Sequence, residues 1–331
     1  MMPQITIALQ TDKDLKVYGT LAAIAESYGF DGVSVYNDML YQPAWLPLLE
    51  IARQTERIKI GPAAINPFTS HPINIAGNLA IVDKVSNGRA YCGFARGAWL
   101  DFIGLEPKKP IATLREALMC VRHLLRKDKK PFVGEHFQLQ GGDTLRWHTI
   151  RSDIPFLLGS WGQKTIFACL PFVSEIKLGG TANPGAARWL KSFLRQHKAD
   201  CGVVCGSVTV IDKDGKAARE RARREVALYL PVVAELDPSA TIDPGRLHGI
   251  REAMKRYDVD KAISYISDDV LRKFAFAGTP DEIIVQALDV FEAGADRIEF
   301  GTPHGLSAEN GLALLGEIVL PNIHAAVSRL K

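Results

Sequence analysis

The chain has 331 residues, 47% hydrophobic and 23% charged, an ordinary globular composition that can bury a large core and fits one large domain or two small ones. A formal net charge of +3 is small for this length, and no Lys/Arg run stands apart from acidic neighbours, which argues against a nucleic-acid partner while suiting an anionic small ligand. The five cysteines are an odd number with no Cys-x-x-Cys pair, so reduced thiols are expected. Met1-Met2-Pro3-Gln4 opens no charged-then-apolar leader, and no apolar run approaches the ~20 residues that span a bilayer. A soluble cytoplasmic protein with no membrane partner is the expectation.

Short apolar runs alternate with amphipathic stretches. Strands are predicted at Ile5–Leu9, Val33–Tyr36, Ile58–Ile65, Tyr91–Ala95, Pro155–Gly159, Glu175–Leu178, Cys201–Ile211 and Arg297–Phe300. Helices are predicted at Asp14–Tyr28, Ala44–Thr55, Ile73–Ser86, Thr113–Arg126, Gln163–Leu170, Ala186–Gln196, Pro280–Ala293 and Ser307–Ile318. A polar stretch, 127–152, interrupts the alternation with a small hairpin at Phe132–Leu139. Eight strands alternating with helices, and no Gly-x-Gly-x-x-Gly turn after the first, favour an α/β (β/α)8 TIM barrel over a doubly wound sheet. The whole chain, 1–331, then reads as a single domain, with 212–276 a helical insertion after strand seven.

Barrel active sites are built from the loops at the carboxyl ends of the strands. Those loops hold Asn37-Asp38, the run Asn66 to Pro72, Arg96-Gly97 with Trp99 and Asp101, Gly159-Ser160-Trp161-Gly162-Gln163, Gly179-Gly180-Thr181, and Gly301 to Gly305 with an exposed-looking His304. Gly159 to Gln163 follows a strand and opens a helix, so it is either an anion cradle or plain turn chemistry. Asp38 and Asn37 either handle a proton or make an Asx turn. His71 reads as a helix cap or a phosphate contact, and Arg96 as a site cation or a partner of Asp101. Trp99 and Trp161 wall a planar ring system or simply pack. There is no His-Glu-x-x-His, P-loop lysine or Gly-x-Ser-x-Gly, so neither a metal site nor a serine nucleophile is expected.

The run Ile60 to Pro72, with Val85-Ser86-Asn87-Gly88-Arg89-Ala90, resembles the luciferase-like monooxygenase superfamily, most nearly the methylenetetrahydromethanopterin reductase branch that uses coenzyme F420. Stretches at 108–113, 154–162, 278–282 and 301–303 agree in order, so the likeness covers nearly the whole chain. It implies a non-prolyl cis peptide near Ala64–Asn66 behind the cofactor ring. It also implies cofactor binding by Ala64, Ile65, Asn66, Arg96, Gly97, Gly159, Ser160, Trp161, Gly162 and Gln163, with Gly179, Gly180 and Thr181 behind them. Two departures stand out. Relatives commonly carry Asp-His where this chain has Asn37-Asp38, and a Gly-x-Gly-acid turn where it has Ala95-Arg96-Gly97-Ala98. The expected activity is hydride transfer between F420 and a small organic substrate, with Asp38 and Asn37 as candidate catalytic residues, in a homodimer. An FMN-dependent monooxygenase and a non-catalytic relative are the alternatives.

Overall fold

The structure is a computed structural model that describes residues 3–329. In chain order it forms β1 (Gln4–Leu9), α1 (Leu15–Tyr28), β2 (Gly32–Val35), α2 (Trp45–Gln54), β3 (Lys59–Pro62), α3 (Pro72–Val85), β4 (Cys92–Ala95) and α4 (Pro110–Leu125). The antiparallel hairpin β5 (Phe132–Val133) and β6 (Gln138–Leu139) follows. Then come β7 (Phe156–Gly159), α5 (Gln163–Cys169), β8 (Glu175–Gly179), α6 (Pro184–Gln196) and β9 (Gly202–Ile211). A helical run holds α7 (Gly215–Val226), α8 (Leu230–Leu236), α9 (Pro244–Lys255), α10 (Val259–Ile263) and α11 (Asp268–Phe274). The chain closes with β10 (Ala275–Gly278), α12 (Pro280–Glu292), β11 (Arg297–Gly305), α13 (Ala308–Leu314) and α14 (Leu320–Arg329). The sheet order is β3-β2-β1-β11-β9-β8-β7-β4, and parallel bridges Ile60–Ala90 and Ile65–Phe94 join its two ends. This is the (β/α)8 barrel that the alternation predicted.

Most predicted elements lie within a residue or two of the observed ones, but β3 ends at Pro62 and not at Ile65, and β11 runs on to Gly305 and not to Phe300. Helices α4 and α6 begin at Pro110 and Pro184, not at Thr113 and Ala186. Proline has no N–H to lose at the first helical position, so it opens these helices instead of preceding them. The helical stretch 212–276 ends at Phe274, because Ala275 and Phe276 belong to a strand paired with β9. That strand is short and apolar and follows a helix with no polar break, so it reads as a helix end. The last predicted helix does not stop before Pro321. A π-helical turn, Leu315–Val319, lets it run on to Arg329. The resulting span Ala308–Ser328 is long and apolar enough by length and composition to cross a membrane. Leu312, Leu315, Val319 and Ile323 along it are buried, as in a core helix of the barrel.

The described residues divide into two compact units. One comprises the segment up to Ala8, Ser27–Asp31 and the chain from Lys177 onward; the other comprises Leu9–Glu26 and Gly32–Ile176. In the first, Thr6, Glu299 and Gly206 stand in register on β1, β11 and β9 and therefore share one face. In the second, Ser34 on β2 hydrogen-bonds the Tyr91 hydroxyl at 2.6 Å in a buried position.

All five cysteines are buried and none is in a disulfide. Burial pushes the thiols of Cys120, Cys169 and Cys205 up to about 12, and that of Cys92 well above its usual value. Ellman's reagent should therefore label none of the five within minutes in the native protein at pH 8, and all of them in denaturant. Rapid labelling of native protein would contradict this burial.

Candidate active site

In the unit built on Leu9–Glu26 and Gly32–Ile176, the loop after β2 carries Asn37 and Asp38, both half-buried. Asn37 Oδ1 accepts from the Ala44 N–H at 3.1 Å, at the entry to α2. Its carbonyl is thus spent on the turn, the plainer of the two roles open to it. Asp38 is different. Gln10, immediately after β1, donates from Nε2 to Asp38 Oδ2 at 2.9 Å. The Gln10 amide is itself oriented, because its Oε1 accepts from the Thr11 N–H at 2.9 Å. Its main-chain oxygen accepts from the Tyr18 hydroxyl at 3.2 Å. Asp38 is therefore held by a side chain that is pinned at both ends, which leaves Oδ1 to meet a reactant. Sequence reading missed Gln10. The available signal was a polar residue directly after an apolar strand, on the side of the barrel where sites are built.

The end of β3 holds a cis peptide at Ala63–Ala64, which shares Ala64 with the expected stretch. Ile65 continues the pairing with β4: its N–H donates to Gly93 at 2.8 Å and its carbonyl accepts from Ala95 at 2.9 Å. Asn66 is buried, and its Oδ1 collects the N–H groups of Phe68 and Thr69 and the Thr69 hydroxyl at 2.9–3.0 Å. This Asx turn fixes the loop that leads to α3. Gly97, at φ 87°, lies against the same asparagine: a Cβ there would stand 3.0 Å from Asn66 Nδ2. Ala64 to Asn66 and Gly97 thus form one rigid corner, while Arg96 beside it is exposed. His71 caps α3, its Nδ1 accepting from Ile73 N–H at 3.2 Å, and packs edge-on to Phe137.

Gly159 ends β7, and Gly162 is the residue before α5. The Gly162 N–H donates to Ser160 Oγ at 3.2 Å, which folds the turn on itself. The residue before α5 is a glycine, so no N-cap side chain takes up the helix's first N–H groups; the Ile166 N–H donates to the Gly162 carbonyl at 2.9 Å, and Gln163 and Lys164 are exposed. Trp161 is half-buried. A helix N-terminus next to a lysine suits a phosphate.

The other unit places Gly179, Gly180 and Thr181 after β8. The N–H groups of Gly180 and Thr181 both donate to the Gly206 carbonyl, at 2.7 and 3.1 Å. Thr181 is fully buried and its hydroxyl donates to the Lys273 carbonyl at 3.3 Å. Gly180, at φ 77°, packs where a Cβ would meet Val233 and Tyr229 at under 3 Å. These two residues serve the strand edge and have no N–H left for an anion. A Cβ at Gly179 would meet nothing within 4 Å. His304 is not exposed as its surroundings suggested: it is 1% accessible, at φ 73°, with Nε2 at 3.2 Å from the Phe300 carbonyl.

A groove of about 450 Å³ lies on α7, α11 and α12. Its Arg219 and Arg272 are held by Glu282 and Asp289, so it presents no uncommitted cation. Among the described residues no cluster of His, Cys, Asp and Glu could hold a metal ion.

The profile of the luciferase-like monooxygenase family matches residues 2–297. The 5,10-methylenetetrahydromethanopterin reductase of Methanopyrus kandleri is 27% identical over 95% of this chain and 96% of its own length. An F420-dependent glucose-6-phosphate dehydrogenase of Amycolatopsis mediterranei is 25% identical, over 95% of each chain. The solved structure of a coenzyme F420-dependent tetrahydromethanopterin reductase from Methanopyrus kandleri superposes with a TM-score of 0.88 over 98% of this chain and all of that one, at 24% identity.

Proposed function

The chain belongs to the luciferase-like monooxygenase family, and from that premise we propose that it is a coenzyme F420-dependent oxidoreductase acting on a small organic substrate. The observation that carries the reading is the family match over residues 2–297, and the β7–α5 turn with its exposed Lys164 suits the anionic tail of such a cofactor. Two relatives similar along their whole length have names that specify F420 or the reductase chemistry, which supports the same choice.

When bound, the deazaflavin supplies the hydride chemistry, and the protein supplies orientation, exclusion of water and proton handling. Gly159, Ser160, Trp161, Gly162 and Gln163 would hold the phosphate-bearing tail. The corner of Ala64, Ile65, Asn66 and Gly97, with Arg96 beside it, would back the ring. Asp38 Oδ1 would exchange a proton with the substrate, while Gln10 keeps Oδ2 occupied and the carboxylate in one orientation. This places the acid–base group one residue later in the chain than relatives with Asp-His after strand two would lead one to look first. The reading takes the protein as a cytoplasmic homodimer, with 212–276 an insertion in a single barrel domain.

Paired anaerobic titrations with F420 and with FMN, followed by absorbance and fluorescence, test this. Micromolar binding of F420 and weaker binding of FMN are expected. Lys164→Glu puts a carboxylate where the phosphate would lie and should weaken F420 about ten-fold, or about 1.4 kcal/mol. Preference for FMN overturns the reading, and an unchanged Lys164→Glu affinity removes the β7–α5 turn from the cofactor site.

A further inference from the structure

We propose that the loop after β4 and the turn after β2 form an apolar platform that selects a substrate carrying a ring or comparable hydrocarbon bulk, and not a sugar phosphate. The inference rests on the oxidoreductase reading above and names the substrate class of that site. The loop exposes Trp99 by 61%, Phe102 by 69%, Ile103 by 46% and Leu105 by 37%, four large apolar side chains within seven residues. The turn adds Leu40 at 83% and Tyr41 at 48%. Soluble proteins seldom concentrate apolar surface this way without something to place on it.

Several observations identify that occupant. Both segments leave the carboxyl ends of strands in the same unit, the end at which barrel enzymes take their substrates. Leu40 and Tyr41 follow Asp38 by two and three residues, in the same turn after β2. The loop is built, not slack. Leu100 is buried under it, and the N–H groups of Phe102, Gly104 and Leu105 donate back to Trp99, Asp101 and Leu100 at 2.9–3.1 Å. Trp99 at φ 54° and Leu40 at φ 67° sit in the left-handed region, which bulky side chains seldom adopt and which concentrates at ligand sites. Within the apolar stretch itself, 99–105, the charged residue is Asp101, an anion that disfavours a phosphate.

The test uses the full chain with and without F420 and two named probes, acetophenone and glucose 6-phosphate, read by saturation-transfer difference NMR. The F420 affinity is measured in parallel by fluorescence. Acetophenone should bind and glucose 6-phosphate should not. The double variant F102A/I103A should weaken acetophenone about ten-fold and leave the F420 affinity unchanged, since it truncates two exposed members of the six apolar side chains and touches no residue of the cofactor site. Preferential binding of glucose 6-phosphate, or an unchanged ketone affinity in the variant, overturns the proposal. So does a dimer that dissociates in the variant while ketone binding persists, because a second copy would then be what covers the platform. Failure of F420 to bind the wild-type chain counts against the oxidoreductase reading instead, and ketone binding without F420 still decides the platform.

Discussion

Lys177→Met is expected to cost about 3–5 kcal/mol of stability, and adding Glu299→Leu to recover most of it. Lys177 on β8 and Glu299 on β11 form an ion pair with side chains 8% and 0% exposed, Nζ donating to Oε1. Each charge loses its hydration on folding, and their mutual attraction compensates only while both are present. Methionine at 177 takes the paired cation away from the buried Glu299 carboxylate; leucine at 299 then removes that charge. The neighbouring strand is adapted to the pair. A Cβ at Gly206 would stand 2.9 Å from Lys177 Cε, so glycine there leaves the lysine its path. Urea midpoints for wild type, the single variant and the double variant test the argument. A double variant no more stable than Lys177→Met would show that packing of the lysine stem, and not the pairing of charges, carries the effect.

This pair also shows where sequence reading stopped. Ile176-Lys177-Leu178 and Ile298-Glu299-Phe300 each look like an apolar strand with one stray polar residue, as do Ile5-Thr6-Ile7 and Val33-Ser34-Val35. Taken singly, each is noise in a hydrophobic run. Taken with the period of two, each polar centre faces the opposite way from its apolar flanks. Only the register joins two of them, Thr6 and Glu299, on one face with Gly206, and a third, Lys177, is the ion-pair partner of Glu299. The alternation of strands and helices was legible because it rests on local periodicity. So were the loops after the strands, which supplied Asp38, Asn66, Gly97 and Ser160. Partnerships were not: Gln10 and Asp38 are 28 residues apart and meet because β1 and β2 are neighbours in the sheet. Nor was the engagement of Gly180 and Thr181 with Gly206, which no spacing along the chain announces.

Arg89→Met should be the most damaging substitution in the unit that carries Asp38, at about 4 kcal/mol or more, with Arg89→Lys recovering only part of the loss. The Asn87-Gly88-Arg89 segment is among the stretches on which the resemblance rests, and the structure gives it a structural reason. Asn87 at φ 53° and Gly88 at φ 84° reverse the chain at the end of α3. Their N–H groups donate back to Lys84 and Asp83 at 3.2 and 2.8 Å. The reversal carries the Arg89 guanidinium to the end of α2. There it donates from Nε to the Ser86 carbonyl at 2.7 Å, from Nη1 to the Ile58 carbonyl and the Thr55 hydroxyl at 2.8 and 2.9 Å, and from Nη2 to the Thr55 and Ala52 carbonyls at 2.7 and 3.1 Å. One planar cation thus satisfies the ends of two helices and the approach to β3. Charge-assisted bonds of this kind are worth roughly 1.5–3 kcal/mol each and do not add, so about 4 kcal/mol is a lower bound on losing the set. Burial lowers the pKa of the guanidinium, and the Glu26 and Glu56 carboxylates oppose that shift. Lysine keeps the charge but brings three donors from one atom, and it cannot span acceptors that a flat fork of five N–H groups reaches. An Arg89→Lys protein within about 1 kcal/mol of wild type by denaturant titration would mean that charge, and not the fork, is what this position requires. The corner of Ala64, Ile65 and Asn66 follows β3 directly, so losing the clamp should also weaken F420 binding if that corner backs the ring.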